Sequence, residues 1–203
     1  MSKYIIVILL FILISLPLIA ANNAKDPNPL FLISDNGKYG YINREGKIVI
    51  QLKFYDAKNF SEGLAVAENG VSYGYIDKTG KYVTDSLFSS AGDFSEGLAV
   101  VKIGDKWGYI DKSGKTTINP QFNNIWTFSE GLACVKLSGE YGYIDKTGKY
   151  VIGLKYSSAQ KFSQGLAKVV FNEDEYSSDW GYVDKTGKAV WQTTEYYDDY
   201  WDE

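Results

Sequence analysis

The 203-residue chain has no histidine, one cysteine, one methionine and four prolines. Without histidine, the commonest general base and metal ligand is missing, so Ser-His-Asp and Cys-His catalytic arrangements cannot form. Cys134 is the only cysteine, so no intrachain disulfide exists and stability has to come from packing. Net charge is −4, and one unit more negative once Lys3 leaves with the targeting segment. A surface of that sign does not attract phosphate backbones, which argues against nucleic-acid partners. A long apolar run occurs in one place only. Tyr4 to Leu16 is almost unbroken hydrophobe, with Lys3 before it and Pro17, Ala20 and Ala21 after it. That is the layout of a secretory signal over residues 1–21, with cleavage expected after Ala20 or Ala21. An uncleaved anchor is the alternative, and the only route by which this reading brings the chain to a membrane. No Cys follows the run, so lipid modification there is not expected. The mature chain is expected outside the cytoplasm: periplasmic, on the cell surface or secreted.

Aromatics and repetition are what the chain has in surplus. Aromatic residues make up 16% of it and 17 are Tyr, a choice that suits strands and half-exposed faces. The phrase Tyr39-Gly40-Tyr41-Ile42-Asn43-Arg44-Glu45-Gly46-Lys47 recurs as Tyr73–Lys81, Trp107–Lys115, Tyr141–Lys149 and Trp180–Lys188. The first four copies start 34 residues apart, and the fifth starts 39 residues after the fourth. A second phrase, Phe60-Ser61-Glu62-Gly63-Leu64-Ala65, keeps the same step at Phe94–Ala99, Phe128–Ala133 and Phe162–Ala167. Two phrases locked to one period mean a tandem array whose units bury their apolar faces against each other. The chain then divides into the signal at 1–21, a Pro-bearing linker at 22–29, five units at 30–192 and an acidic, aromatic tail at 193–203.

The third unit shows the expected layout. Leu98 to Ile103 is a β-rich run, Gly104-Asp105 a tight hairpin turn, and Trp107 to Asp111 the return strand. In Asp111-Lys112-Ser113-Gly114 the Asp side chain can accept from amides ahead of it while Gly takes the left-handed position. Lys115 to Ile118 is a third strand. Residues 122–128 link to the next unit as an extended connector or a fourth strand. The fold class is therefore all-β, five antiparallel meanders in an open curved stack, with propeller-like closure as the alternative. In the second strand Trp107 and Tyr109 share one face and Gly108 and Ile110 the other. Gly beside the aromatic in all five copies implies a close approach, with a neighbouring unit's ring the expected guest.

These phrases, Trp/Tyr-Gly-Tyr-Ile-Asp-x-x-Gly-Lys alternating with Phe-Ser-Glu-Gly-Leu-Ala, resemble the WG (or KWG) repeat of bacterial proteins over about residues 30–191. The resemblance implies an often exported or surface-associated protein and brings no catalytic residues with it. Copies one, two and four depart from it by carrying Tyr where the repeat's name has Trp.

Asp77, Asp111, Asp145 and Asp184, and Glu62, Glu96 and Glu130, recur with the period, as do Ser61, Ser95, Ser129 and Ser163. Chemistry needs one site and architecture needs all of them, so these positions read as structural. The expected function is an exported, non-catalytic scaffold binding protein or cell-wall glycan, without cofactor or metal. A cell-wall hydrolase using a carboxylate pair and a purely structural envelope protein are the alternatives. Informative residues are those that break their column. Trp126 stands where other units have Lys58, Gly92 and Gln160, so it reads as a partly exposed indole. Trp126, Trp107, Tyr109 and Trp180 are the candidate ligand contacts. The acidic hairpin Asn172–Asp179 matches no defensible Ca²⁺ loop. In the tail, Tyr197, Tyr200 and Trp201 are candidates for docking a basic partner, beside a role in capping the last sheet.

Overall fold

Turn residues set the framework of each unit. Asn36 and Gly37 both take positive φ (49° and 71°), as do Ser138 and Gly139 (53° and 95°). Two left-handed residues in a row make the tight turn whose twist matches that of paired strands. The computed structural model describes residues 26–84 and 88–197. The expected signal at 1–21 and the candidates Tyr200 and Trp201 lie outside them.

The described residues form five antiparallel sheets in chain order. The first has β1 (Phe31–Asp35), β2 (Lys38–Ile42) and β3 (Ile48–Phe54), and the second β4 (Asp56–Ala57), β5 (Ala65–Glu68) and β6 (Tyr73–Ile76). The third has β7 (Ser90–Ser95), β8 (Leu98–Ile103), β9 (Lys106–Asp111) and β10 (Thr116–Phe122). The fourth has β11 (Asn124–Ile125), β12 (Ala133–Leu137), β13 (Glu140–Ile144) and β14 (Tyr150–Tyr156). The fifth has β15 (Ser158–Ala159), β16 (Ala167–Glu173), β17 (Ser177–Val183) and β18 (Ala189–Tyr196). Each is a meander of sequential strands. The connector does supply a fourth strand: β4, β7, β11 and β15 pair with the first long strand of the unit that follows.

Strand alternation turns each sheet into a double-sided core. Tyr109 faces forward, into a cluster with Ile125, Phe128, Val135 and Ile144 of the next sheet. Ile110 faces backward, among Val66, Tyr75 and Phe94. The pattern repeats one sheet on, where Tyr143 and Ile152 pack with Phe162, Val169 and Val183. Tyr41, Tyr75, Tyr109 and Tyr143 are all fully buried, and burying a ring of this size stabilises by roughly 1.5–3 kcal/mol. Each ring meets the Phe of the following connector at 4.8–4.9 Å between centroids.

The glycine beside each aromatic has a different guest from the expected ring. Tyr109 pairs with Ile118 and Trp107 with Phe122, so two steps along β9 face four along β10. The surplus residues bulge toward β9, and a Cβ on Gly108 would stand 2.5 Å from the Ile118 carbonyl oxygen and 2.7 Å from Pro120 N. Gly40 and Gly142 face the same bulge in their own units. The close approach is thus the unit's own next strand, because the bulge pushes bare backbone where a neighbour's ring would have to lie.

Two units depart from the pattern. In the second, Thr84 takes the Ile position and its hydroxyl accepts from the Tyr75 amide at 3.0 Å, so a side chain replaces part of the third strand. In the fifth, the extra residues lengthen the first hairpin. There β18 runs straight, pairing Trp191 with Tyr182, Thr193 with Trp180 and Glu195 with Ser178.

Gly108→Ala is expected to destabilise the protein by about 2–3 kcal/mol, as a Cβ driven into fixed backbone should. Equilibrium urea unfolding would measure it; a change under about 0.5 kcal/mol would show that the bulge can relax away.

Candidate functional site

The repeated polar residues join unit to unit. Ser61 Oγ donates to the Phe94 carbonyl at 2.7 Å, Ser95 to Phe128 at 2.8 Å and Ser129 to Phe162 at 2.8 Å. The adjacent Glu sits at positive φ in each case (51–55°). That bend aims its carboxylate at the next unit. Gly97 N donates to Glu62, Gly131 N to Glu96 and Gly165 N to Glu130, at 2.9–3.1 Å. Lys112, Lys146 and Lys185 complete the set with ion pairs to the same three carboxylates at 3.1–3.2 Å. Lys185 is the main reason the Glu130 carboxyl is held below its ordinary range. At the start of the array Asp26 takes over, pairing with Lys78. At the end Gln164 replaces Glu and the charged run stops.

The second-turn aspartates are equally committed. Asp111 Oδ1 accepts from Ser113 N, Ser113 Oγ and Lys115 N at 2.6–3.1 Å. Asp77, Asp145 and Asp184 do the same with Thr79, Thr147 and Thr186. These bonds, the hydroxyl's first, lower the carboxyl pKa in all four. Cys134 is fully buried, and burial pushes its thiol up to about 12. Such a thiol stays protonated and is a poor nucleophile.

The aromatic positions divide into three groups. Tyr109, a candidate ligand contact by sequence, lies in the core with its hydroxyl donating to the Trp126 carbonyl at 2.7 Å. Its ring points at the next sheet and is not available to a ligand, which corrects the expectation. Trp107 is half-buried against the cluster that holds Leu137 and Leu154. Tyr39, Tyr73, Tyr141 and Trp180 hold the equivalent position, all half-buried. Trp126 is also half-buried, its ring 5.7 Å from that of Tyr141, with the Lys136 ammonium 4.9 Å from the same Tyr141 ring. Trp126, Tyr141 and Lys136 therefore form one surface group on the fourth sheet, at the edge of the core that it shares with the fifth. In the tail, Tyr197 is exposed but folds back on the long hairpin, its amide on the Tyr176 carbonyl and its hydroxyl on Glu173.

The third group is the forward face of the fifth sheet, where Trp180 meets Tyr182 and Trp191. Tyr182 and Trp191 stand in the columns of Tyr109 and Ile118, yet are 39% and 49% exposed. Trp180 and Trp191 are 5.1 Å apart between centroids, and the Lys168 ammonium lies 4.0 Å over the Trp180 ring. The signal was present: Trp191 breaks a column otherwise filled by Ile50, Thr84, Ile118 and Ile152. Among the described residues, no group of three or more acidic or sulfur side chains is placed to hold a metal ion, the acidic hairpin included.

A stack of like β-sheets, each tied to the next by the same residues, defines a tandem-repeat protein. Residues 39–70, 73–107, 107–141 and 141–173 each match the WG containing repeat, and the chain belongs to that family. No curated protein matches it. Among solved structures it is similar to Kluyveromyces lactis Hsv2, at 12% identity and a TM-score of 0.52. That match covers 81% of this chain and 62% of the Hsv2 chain, and it speaks to the fold alone. A Bacteroides caccae protein of unknown function matches over 82% of this chain and 78% of its own, at 12% identity and a TM-score of 0.36.

The turn carboxylates make a pH prediction. Their folded pKa values lie below the ordinary 3.8, so their contribution is complete above that value and lost as pH falls through the folded values. Thermal unfolding should therefore drop on acidification below about pH 4. Asn43 accepts the same amides without titrating (2.9 and 3.2 Å), so Asp111→Asn should flatten part of that drop while leaving the neutral-pH melting temperature nearly unchanged. An unaltered acid limb in the variant would remove the turns as its cause.

Proposed function

We propose that the protein is an exported, non-catalytic scaffold that binds a cell-envelope glycan along its row of half-buried rings. The observation that carries this reading is the recurrence of Tyr39, Tyr73, Trp107, Tyr141 and Trp180 once per unit, each part in the core and part in water. A ligand that repeats is matched by a surface that repeats, and many weak contacts then act together. Aromatic rings with one apolar face and a wet edge suit the C–H faces of sugar rings. Trp126 adds an indole beside Tyr141 and makes the fourth sheet the richest point of the row. The apolar run at 4–16 supports export to where such a polymer is found. The repeated carboxylates and serines are occupied in joining backbone segments, which supports binding over hydrolysis.

Co-sedimentation of residues 22–203 with purified cell-wall sacculi tests this directly. Trp126→Ala should reduce the bound fraction about five-fold, the effect of about 1 kcal/mol of ring contact, and Trp107→Ala should act in the same direction. Failure of the parent chain to pellet would sink glycan binding and leave a protein partner as the ligand.

A further inference from the structure

We infer that the forward face of the fifth sheet is an interface for a second copy of this chain, formed about a two-fold axis through Trp180. This proposal goes beyond the glycan reading and stands without it.

The same columns show what that face normally does. Tyr41, Tyr75, Tyr109 and Tyr143 are completely buried by the following unit, and Ile50, Ile118 and Ile152 are 2–4% exposed. In the fifth unit the corresponding Tyr182 and Trp191 are left 39% and 49% exposed. A sheet face meant to meet only water would carry polar residues. Here the Ile column becomes Trp, and three rings gather within 6.5 Å of one another.

The charges identify the occupant. Lys168 pairs across the strands with Tyr182, and Glu195 and Glu173 with Ser178, so all three share the face of Trp180, Glu173 being engaged by the Tyr197 hydroxyl. Lys168 replaces the buried Val66, Val100 and Cys134 of the other units. Among the described residues neither Lys168 nor Glu195 has an ion-pair partner. One lies a strand to one side of Trp180 and about two residues along, the other a strand to the opposite side and about two residues the other way. A surface with a cation and an anion placed symmetrically about an aromatic centre is complementary to itself, the requirement for a two-fold interface. An axis through Trp180, in the plane between the two sheets and across the Lys168–Glu195 diagonal, lays Lys168 of each copy over Glu195 of the other. The strands then cross at a steep angle, near the orthogonal class of sheet packing. Continuation by the first sheet of another copy fits less well. Trp191 would have to enter the space that Ile152 fills in tight contact with Gly187, and Gln164 cannot form the ion pair that joins every internal unit.

Sedimentation equilibrium of residues 22–203 is expected to show a dimer. Trp191→Asp should weaken it on the order of thirty-fold or more, as for a central aromatic anchor. Lys168→Glu and Glu195→Lys should each weaken it, and the double exchange should restore it. Far-ultraviolet circular dichroism and thermal melts of each variant confirm the fold. A wild-type monomer overturns the proposal, whether the face is bare or covered by residues 198–203. So does a dimer indifferent to Trp191→Asp. Single charge variants that weaken association with no rescue in the double exchange would also overturn the two-fold pairing.

Discussion

One contact recurs at every junction and the rest of the array depends on it. The second strand of each unit sends a tyrosine forward into the next, and its hydroxyl donates to a carbonyl 17 residues on, at 2.6–2.7 Å. The ring supplies apolar burial, and the hydroxyl answers a carbonyl that the connector would otherwise bury unpaired. Such a contact fixes the distance between units. It also fixes the number of residues that can lie between the strand and the connector, and so enforces the 34-residue step. The five extra residues of the fifth unit fall at the tip of its first hairpin, away from the contact, where added length only extends β16 and β17. The glycine beside each tyrosine belongs to the same device. It admits the bulge of the following strand, and that bulge starts the chain toward the next sheet.

A second layer of polar bonds aligns what the tyrosines hold. Serine hydroxyls, glutamate carboxylates and lysine ammonium groups each reach from one unit to the next, always to a partner that is itself repeated. The ion pairs are part-exposed, and exposed pairs stabilise by only about 0–1 kcal/mol. Their worth lies more in register: a one-residue slip would leave each carboxylate opposite the wrong amide. Glutamate at positive φ, a conformation that strains most side chains, follows from its place in the tight Ser-Glu-Gly-Leu turn, a place that Gln164 also takes at 54°.

The periodicity carried the class of fold, the five units, both turn types and the fourth strand of the connector. These were legible because each depends on residues within one unit. The guest of the glycine was not. Nothing in Trp107-Gly108-Tyr109 reveals that two residues of β10 are surplus, and only the pairing of Trp107 with Phe122 shows it. Tyr109 was misplaced for a related reason. Its neighbour Trp107 shares its face, but a forward-pointing residue near the strand centre is covered by the next sheet, while one toward the edge is half covered. Trp126 was read correctly as partly exposed because its column tolerates Lys and Gln. Trp191 is open to the same comparison, since it stands where the other units have Ile50, Thr84, Ile118 and Ile152.

Half-burial also explains why tyrosine and tryptophan exchange in the column that gives the repeat its name. The inner half of the ring has to fill a groove such as that beside Leu137 and Leu154, which either ring does. The outer half meets water or a ligand, where the larger indole offers more contact. On the proposed glycan reading, Trp107 offers a larger contact than the tyrosines of a row whose packing duty all five members share, and Trp126 adds a second indole beside Tyr141. Exchange of Trp for Tyr at this column changes the exposed part of the ring and leaves the buried part filled. That separation leaves the exposed surface of the array free to vary while its buried tyrosines, one residue pair away, remain unchanged.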